Sequence, residues 1–184
     1  MKKIILLFAL FPLLMFSQES SGKLTYKNVI KVDSLKKSSQ LYMLSRSWFA
    51  EKYNSAKDVI QFEDKEEGKI IARGSFNYNS NVFVYSNATK GHITYTLTII
   101  VKDGRYKYEA SNFTHQGNPE NIVGDVSFGL ITSDEECPYN ISAKGWRNRV
   151  WRDLKEQIDG YINPIIISLN KYIASAVVKE EEKW

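Results

Sequence analysis

The run HITYTLTIIVKDGRYKYEASNFTH, residues 92–115, alternates apolar and polar side chains on both sides of Asp103-Gly104. Successive side chains of a strand point to opposite faces, so a period of two fits a half-buried strand and not an amphipathic helix. Asp-Gly is a residue pair preferred in type I′ turns, whose twist matches that of the strands they join. A long antiparallel hairpin is therefore expected, and any fold assigned to the chain must accommodate it. With Asp103 and Gly104 as the two turn residues, Lys102 faces Arg105. The same register puts Ile93, Tyr95, Leu97, Ile99 and Val101 on the core face. Thr94, Thr96 and Thr98 lie on the other, opposite Phe113, Ser111 and Glu109. His92 then faces His115 at the open end of the hairpin.

These are the only two histidines in the chain. Two imidazoles directly opposite on an accessible face are able to share a transition metal or to respond to acidification. A zinc site needs at least a third protein ligand, and none is identifiable nearby, so no metal is assigned. A single bulge would also break the pairing.

The rest of the chain reads as strands and helices around that hairpin. KLTYKNVIKV, residues 23–32, carries alternation and β-branched residues and reads as a first strand. SSQLYMLSRSWFAEKY places Leu41, Leu44, Trp48 and Phe49 at helical spacing, with Ser38 or Ser39 available as N-cap. VIQFE and KIIARGSFNY are strands flanking Asp64 to Gly68. A calcium loop needs acids on alternate positions before its glycine and a distal Glu, whereas Glu63, Asp64, Glu66 and Glu67 crowd together. The acidic cluster is therefore read as the charged tip of a second hairpin. VSFGLIT is a further candidate strand. WRNRVWRDLKEQI has Val150, Trp151, Leu154 and Ile158 on one helical face, and Gly160 is expected to stop that helix. Asn163-Pro164 then supplies the cap and first-turn proline of another helix, a single helix kinked at Pro164 being the alternative. Residues 180–184 read as a disordered tail.

The N-terminus reads as a leader. Lys2 and Lys3 precede the unbroken apolar run Ile4 to Phe16, which is too short to span a bilayer. Residues 1–17 are expected to be a signal peptide cut near Ser17-Gln18, leaving a periplasmic or secreted protein without a transmembrane span. Lys2 and Lys3 of that leader account for two units of the chain's formal net charge of +4. The remainder is close to neutral and gives no global electrostatic case for nucleic acid. Cys137 is the only cysteine, so an exported chain has no internal disulfide. Asp134, Glu135 and Glu136 beside it are expected to raise its thiol pKa, which makes it a poor nucleophile.

RSWFAEKYNSAKDVIQFEDKEEGKIIARG followed by DGRYKYEASNF resembles a bacterial family, domain of unknown function 4468. The features that carry the resemblance are Trp48, the run Val59 to Gln61, Asp64, Glu66, Gly68, Ile70, Gly74 and the run Asp103 to Glu109. The resemblance implies a TBP-like fold over residues 23–115, commonly found in Bacteroidetes behind a signal peptide. Residues 116–179 are then a C-terminal extension whose helices pack on the same domain. It implies no assigned activity, so no catalytic residue carries over.

The expected fold is α+β, a curved antiparallel sheet with helices mainly on one face. A sheet covered on one side leaves the other available, which favours a non-enzymatic binding or structural module of the cell envelope. A second reading is attachment to an anionic surface through Trp146, Arg147, Arg149 and Arg152, two tryptophans and three arginines falling within WRNRVWR. A carboxylate-based hydrolase is the third, because a pair of acids needs no sequence motif. No cofactor is expected, and the partner is either another envelope protein or an anionic surface.

Overall fold

The computed structural model describes residues 22–53, 55–83, 86–120, 125–139 and 143–181, with side chains to 175. The expected leader and its cleavage point lie outside these residues. No helix among the described residues is long and apolar enough to cross a membrane.

The elements in chain order are β1 (Tyr26–Lys31), α1 (Ser38–Lys52), the single turn α2 (Ala56–Val59), β2 (Ile60–Asp64) and β3 (Lys69–Tyr78). A 3-10 turn (Asn87–Thr89), β4 (Gly91–Lys102), β5 (Arg105–Gly117), the two-residue β6 (Gly129–Leu130) and α3 (Lys144–Glu181) follow. The sheet has the order β1-β5-β4-β3-β2, with β6 also paired to β5, and all its pairs are antiparallel. The α+β class read from the sequence is the class observed. The expected boundary at residue 115 falls inside β5.

Period-two alternation decides which face is buried. Ile93, Tyr95, Leu97, Ile99 and Val101 are at most 3% exposed, as the hairpin pattern required. Ile70, Ala72, Tyr106 and Tyr108 extend the same face across β3 and β5. Helices α1 and α3 close it with Leu41, Trp48 and Phe49 from the first and Val150, Trp151, Leu154, Ile158, Ile162 and Leu169 from the second. Polar pins set the helices in place: Trp48 Nε1 donates to Ser168 Oγ at 3.1 Å, and the Tyr106 hydroxyl donates to Asn170 Oδ1 at 2.8 Å.

Four expectations are corrected. Lys37, not Ser38 or Ser39, is the N-cap of α1. The acceptor at that end comes from the hairpin turn, where Asp103 Oδ1 receives the Ser38 N–H at 2.7 Å. The turn itself is not type I′, because Gly104 adopts positive φ (68°) and Asp103 does not. Neither Gly160 nor Pro164 ends a helix; α3 is one continuous helix of 38 residues. It also takes in residues 180 and 181, read from sequence as tail, while 182–184 lie outside the described residues. The hairpin tip at Asp64 is as read: Gly68 takes φ 64°, and Asp64 Oδ1 accepts from the N–H groups of Glu66 and Glu67.

Candidate functional site

The face of the sheet opposite the helices has no described element packed on it, and its residues follow from the register. Thr94, Thr96 and Thr98 lie on it, each half-buried between neighbouring strands. One cross-strand row runs Lys31, Arg105, Lys102. The next runs Val29, Lys107, Ile100, Lys69, Asp64, and a third runs Lys27, Glu109, Thr98, Ile71, Phe62. Arg73 stands farther along, beside Thr96 and Ser111. Cations thus outnumber acids on this face, although the chain as a whole is close to balanced. Of its two acids, Glu109 pairs with Lys107 at 2.8 Å and is held below the usual carboxylate range by that hydrogen bond. Asp64 is turned into its own hairpin tip.

The row Lys31, Arg105, Lys102 carries no described ion pair. Like charges directly opposite one another destabilise a sheet, so this row is a local liability to the fold. Beside it lies a depression of about 300 Å³ lined by Val29, Ile100, Lys102, Arg105, Tyr106 and Lys107. Val29 is 52% exposed and Phe62 48% exposed, so apolar side chains stand among the cations.

The structure separates the two histidines. Asn112 takes φ 57° in mid-strand, and the register of β4 and β5 slips by one between Thr94 and Thr96. Beyond that bulge Ile93 faces His115, and His92 faces Gln116. His115 turns inward and is 1% exposed. Its Nδ1 accepts the Phe128 N–H at 3.1 Å, so Nε2 carries the proton and donates to Thr89 O at 3.0 Å. Burial lowers its pKa from 6.5 to about 4. His115 therefore ties β5 to the segment before β6 and to the 3-10 turn. His92 stays half-buried on the open face, in a polar recess with Asn77, Asn79, Lys90 and Asn118. Among the described residues no group of three or more His, Cys, Asp or Glu is placed to hold a metal.

The tryptophan–arginine segment opens α3. Trp151 is fully buried, and its Nε1 donates to Asp134 O at 2.9 Å. Trp146 packs against the core beside Phe128, and Arg147 lies over the Phe128 ring at 5.7 Å. Only Arg149 and Arg152 are exposed, and Arg152 Nε is bonded to Asn148 O. Trp151 is thus directed into the core, and Trp146, half-buried, packs against its edge. Cys137 is 7% exposed, and its thiol pKa is raised as expected, by burial and not by the neighbouring acids.

Sequence reasoning missed the basic face itself. Its cations come from four strands, and although Lys102, Arg105 and Lys107 are neighbours across one turn, only the register brings Lys27, Lys31, Lys69 and Arg73 beside them.

An antiparallel sheet carrying its helices on one face and leaving the other bare is the arrangement of the TBP-like class. Residues 26–116 belong to the family described as a domain of unknown function (DUF4468) with TBP-like fold. The fold is similar to a TBP-like protein from Parabacteroides distasonis, with TM-score 0.56 and 16% identity over 82% of this chain and 95% of that one. A DUF4468 family protein from Bacteroides ovatus is similar with TM-score 0.50 and 16% identity, over 82% of this chain and 88% of that one. Comparison with curated proteins finds no match.

Proposed function

We propose that this protein is an exported, non-enzymatic binding module of the cell envelope, and that the open face of its sheet is the contact surface. The observation that supports this reading is the division of the sheet. One face is sealed by α1 and α3, while the other, spanning five strands, has nothing described on it and carries a row of three cations with no described ion pair. A TBP-like fold assigns no activity by itself, because function resides in the site and not in the fold. The buried carboxylate Asp153 is saturated by protein donors, and Glu63 is held by Arg46 and Tyr42, which leaves no carboxylate pair poised for hydrolysis among these groups. The leader-like N-terminus supports export.

Amine-labelling footprints test the reading without knowledge of the partner. Lys27, Lys31, Lys69 and Lys102 are expected to react more slowly in intact envelope fractions than in the purified protein. Lys52 and Lys171, on the helix side, are expected to react equally in both. Equal labelling of all six overturns the proposal.

A further inference from the structure

We infer that the open face docks on an anionic lipid bilayer, with phosphate headgroups against its cations and Val29 and Phe62 entering the interface. This inference rests on the reading of that face as the contact surface and names what it contacts. Three features of the face argue for a planar partner. Its cations spread along both axes of the sheet, from β1 to β3 in one direction and from Arg105 to Arg73 in the other. Five strands at the usual spacing make a surface roughly 20 Å wide. A linear polyanion follows a track of charge, whereas a headgroup layer meets a plane of it.

The second feature is the pairing of charge with exposed carbon. A polyanionic chain has no use for Val29 and Phe62, each about half exposed among lysines. A bilayer interface does: peripheral attachment combines buried apolar area with attraction to anionic headgroups. Lys69 Nζ lies over the Phe62 ring, 6.0 Å from its centroid, so a cation and an exposed apolar group adjoin on this face.

The third feature is the row Lys31, Arg105, Lys102, which has no ion pair among the described residues, with the depression beside it. Its lining brings the apolar side chains Val29 and Ile100 together with the cations Lys102, Arg105 and Lys107. An anionic head with a hydrocarbon body matches that combination. Phosphate groups there relieve the repulsion that the row imposes on the isolated fold. The surface attachment that the sequence suggested for α3 thus finds its chemistry on the sheet, where cations and exposed apolar side chains coincide.

Vesicle co-sedimentation of the full chain from residue 18 onward tests this. The protein is expected to partition onto vesicles of phosphatidylglycerol and phosphatidylcholine, to leave them as salt rises, and to ignore phosphatidylcholine alone. Each of Lys31→Gln, Lys102→Gln and Arg105→Gln is expected to weaken partition about fivefold, the equivalent of ~1 kcal/mol per basic residue near a charged surface. Val29→Ser with Phe62→Ser is expected to weaken it while leaving the salt dependence in place. All these positions are exposed, and unchanged thermal unfolding verifies that the variants fold.

Three results overturn the inference. They are equal binding to both vesicle types, loss of binding through Arg149→Gln with Arg152→Gln in place of the sheet variants, and tighter binding to a sulfated polysaccharide or single-stranded DNA than to vesicles. Vesicle failure with a persisting lysine footprint removes the bilayer and keeps the open face as contact surface. Loss of the footprint as well removes both.

Discussion

The Tyr78 hydroxyl donates to Asp153 Oδ2 at 2.6 Å, across the junction between the end of β3 and the helix that closes the core. Asn81 adds two more bonds to the same carboxylate, from its backbone N–H at 3.1 Å and its side-chain amide at 2.8 Å. Gln157 supplies a fourth donor at 3.1 Å. Asp153 is 6% exposed, so this is a buried carboxylate made tolerable by saturation with donors. Burial and the bond to Asp153 raise the Tyr78 pKa, and the phenol stays protonated as donor.

Removing one side of such a network leaves the others unpaired in the interior. Asp153→Ala is expected to cost ~3 kcal/mol in urea denaturation, and Tyr78→Phe ~1–2 kcal/mol. The double variant should show a coupling of ~1 kcal/mol or more. Additivity to within ~0.5 kcal/mol would show that the two groups act independently.

His115 makes stability depend on pH above the carboxylate range. Its pKa is about 4 folded and 6.5 as the ordinary value, so the unfolded chain binds the proton first as pH falls. The stability from the neutral, buried ring is complete above pH 6.5 and is lost as pH drops through the window toward 4. The loss amounts to roughly 3 kcal/mol by linkage. Gln at 115 retains one acceptor and one donor but no titration. Denaturation midpoints of His115→Gln are therefore expected to stay flat between pH 6.5 and 5, where the native protein weakens. A native midpoint that does not move in that interval refutes the assignment.

Gly74 is required for space and not for backbone freedom. It faces Tyr95 across the β3–β4 pair, and a Cβ there would lie 2.4 Å from Tyr95 Cζ. The ring is fixed at its far end by the 2.9 Å bond between the Tyr53 and Tyr95 hydroxyls. Gly74→Ala is expected to cost ~1–3 kcal/mol by overpacking. In Tyr95→Leu, which frees the site, the added Gly74→Ala change should be far less harmful. An equal penalty in both backgrounds would locate the cause elsewhere.

The leader-like run at residues 4–16 is proposed to be removed on export. Intact-mass measurement of protein from its natural host is expected to give an N-terminus near Gln18. Recovery of Met1 in the mature protein contradicts cleavage.

The sheet was legible where alternation was uninterrupted. The register from Lys102–Arg105 back to Thr96–Ser111 follows from the Asp-Gly turn alone, and so does the core face of β4. It failed at Asn112, where one residue in the left-handed region inserts an extra position. Asn adopts that conformation more readily than most residues, but nothing local says that a mid-strand Asn will use it. The continuity of α3 was illegible for the opposite reason. Pro164 withholds the N–H that the Gly160 carbonyl would receive and crowds that carbonyl, so each residue read as a break. Yet a Cβ at Gly160 would meet nothing, and Ile158, Ile162, Ile165 and Leu169 are all buried on the sheet across the interruption. Tertiary burial outweighs the local penalty. The basic face was hidden because it is a property of register, and no single segment displays it.

The helix that seals the sheet follows all six strands in the chain, and this order bears on the timing of folding. The five long strands are all synthesised by Gly117, yet Leu154, Ile158, Ile162, Leu169 and Ile173 must arrive before their apolar face is closed. β1 in turn waits for β5, since Tyr26 pairs with Ala110. Contacts so distant in sequence form slowly. A chain emerging from its N-terminus thus keeps its core open until α3 has followed the strands. If the leader directs export as proposed, the same order of elements would hold the polypeptide open during passage and leave closure of the sheet's buried face for the far side.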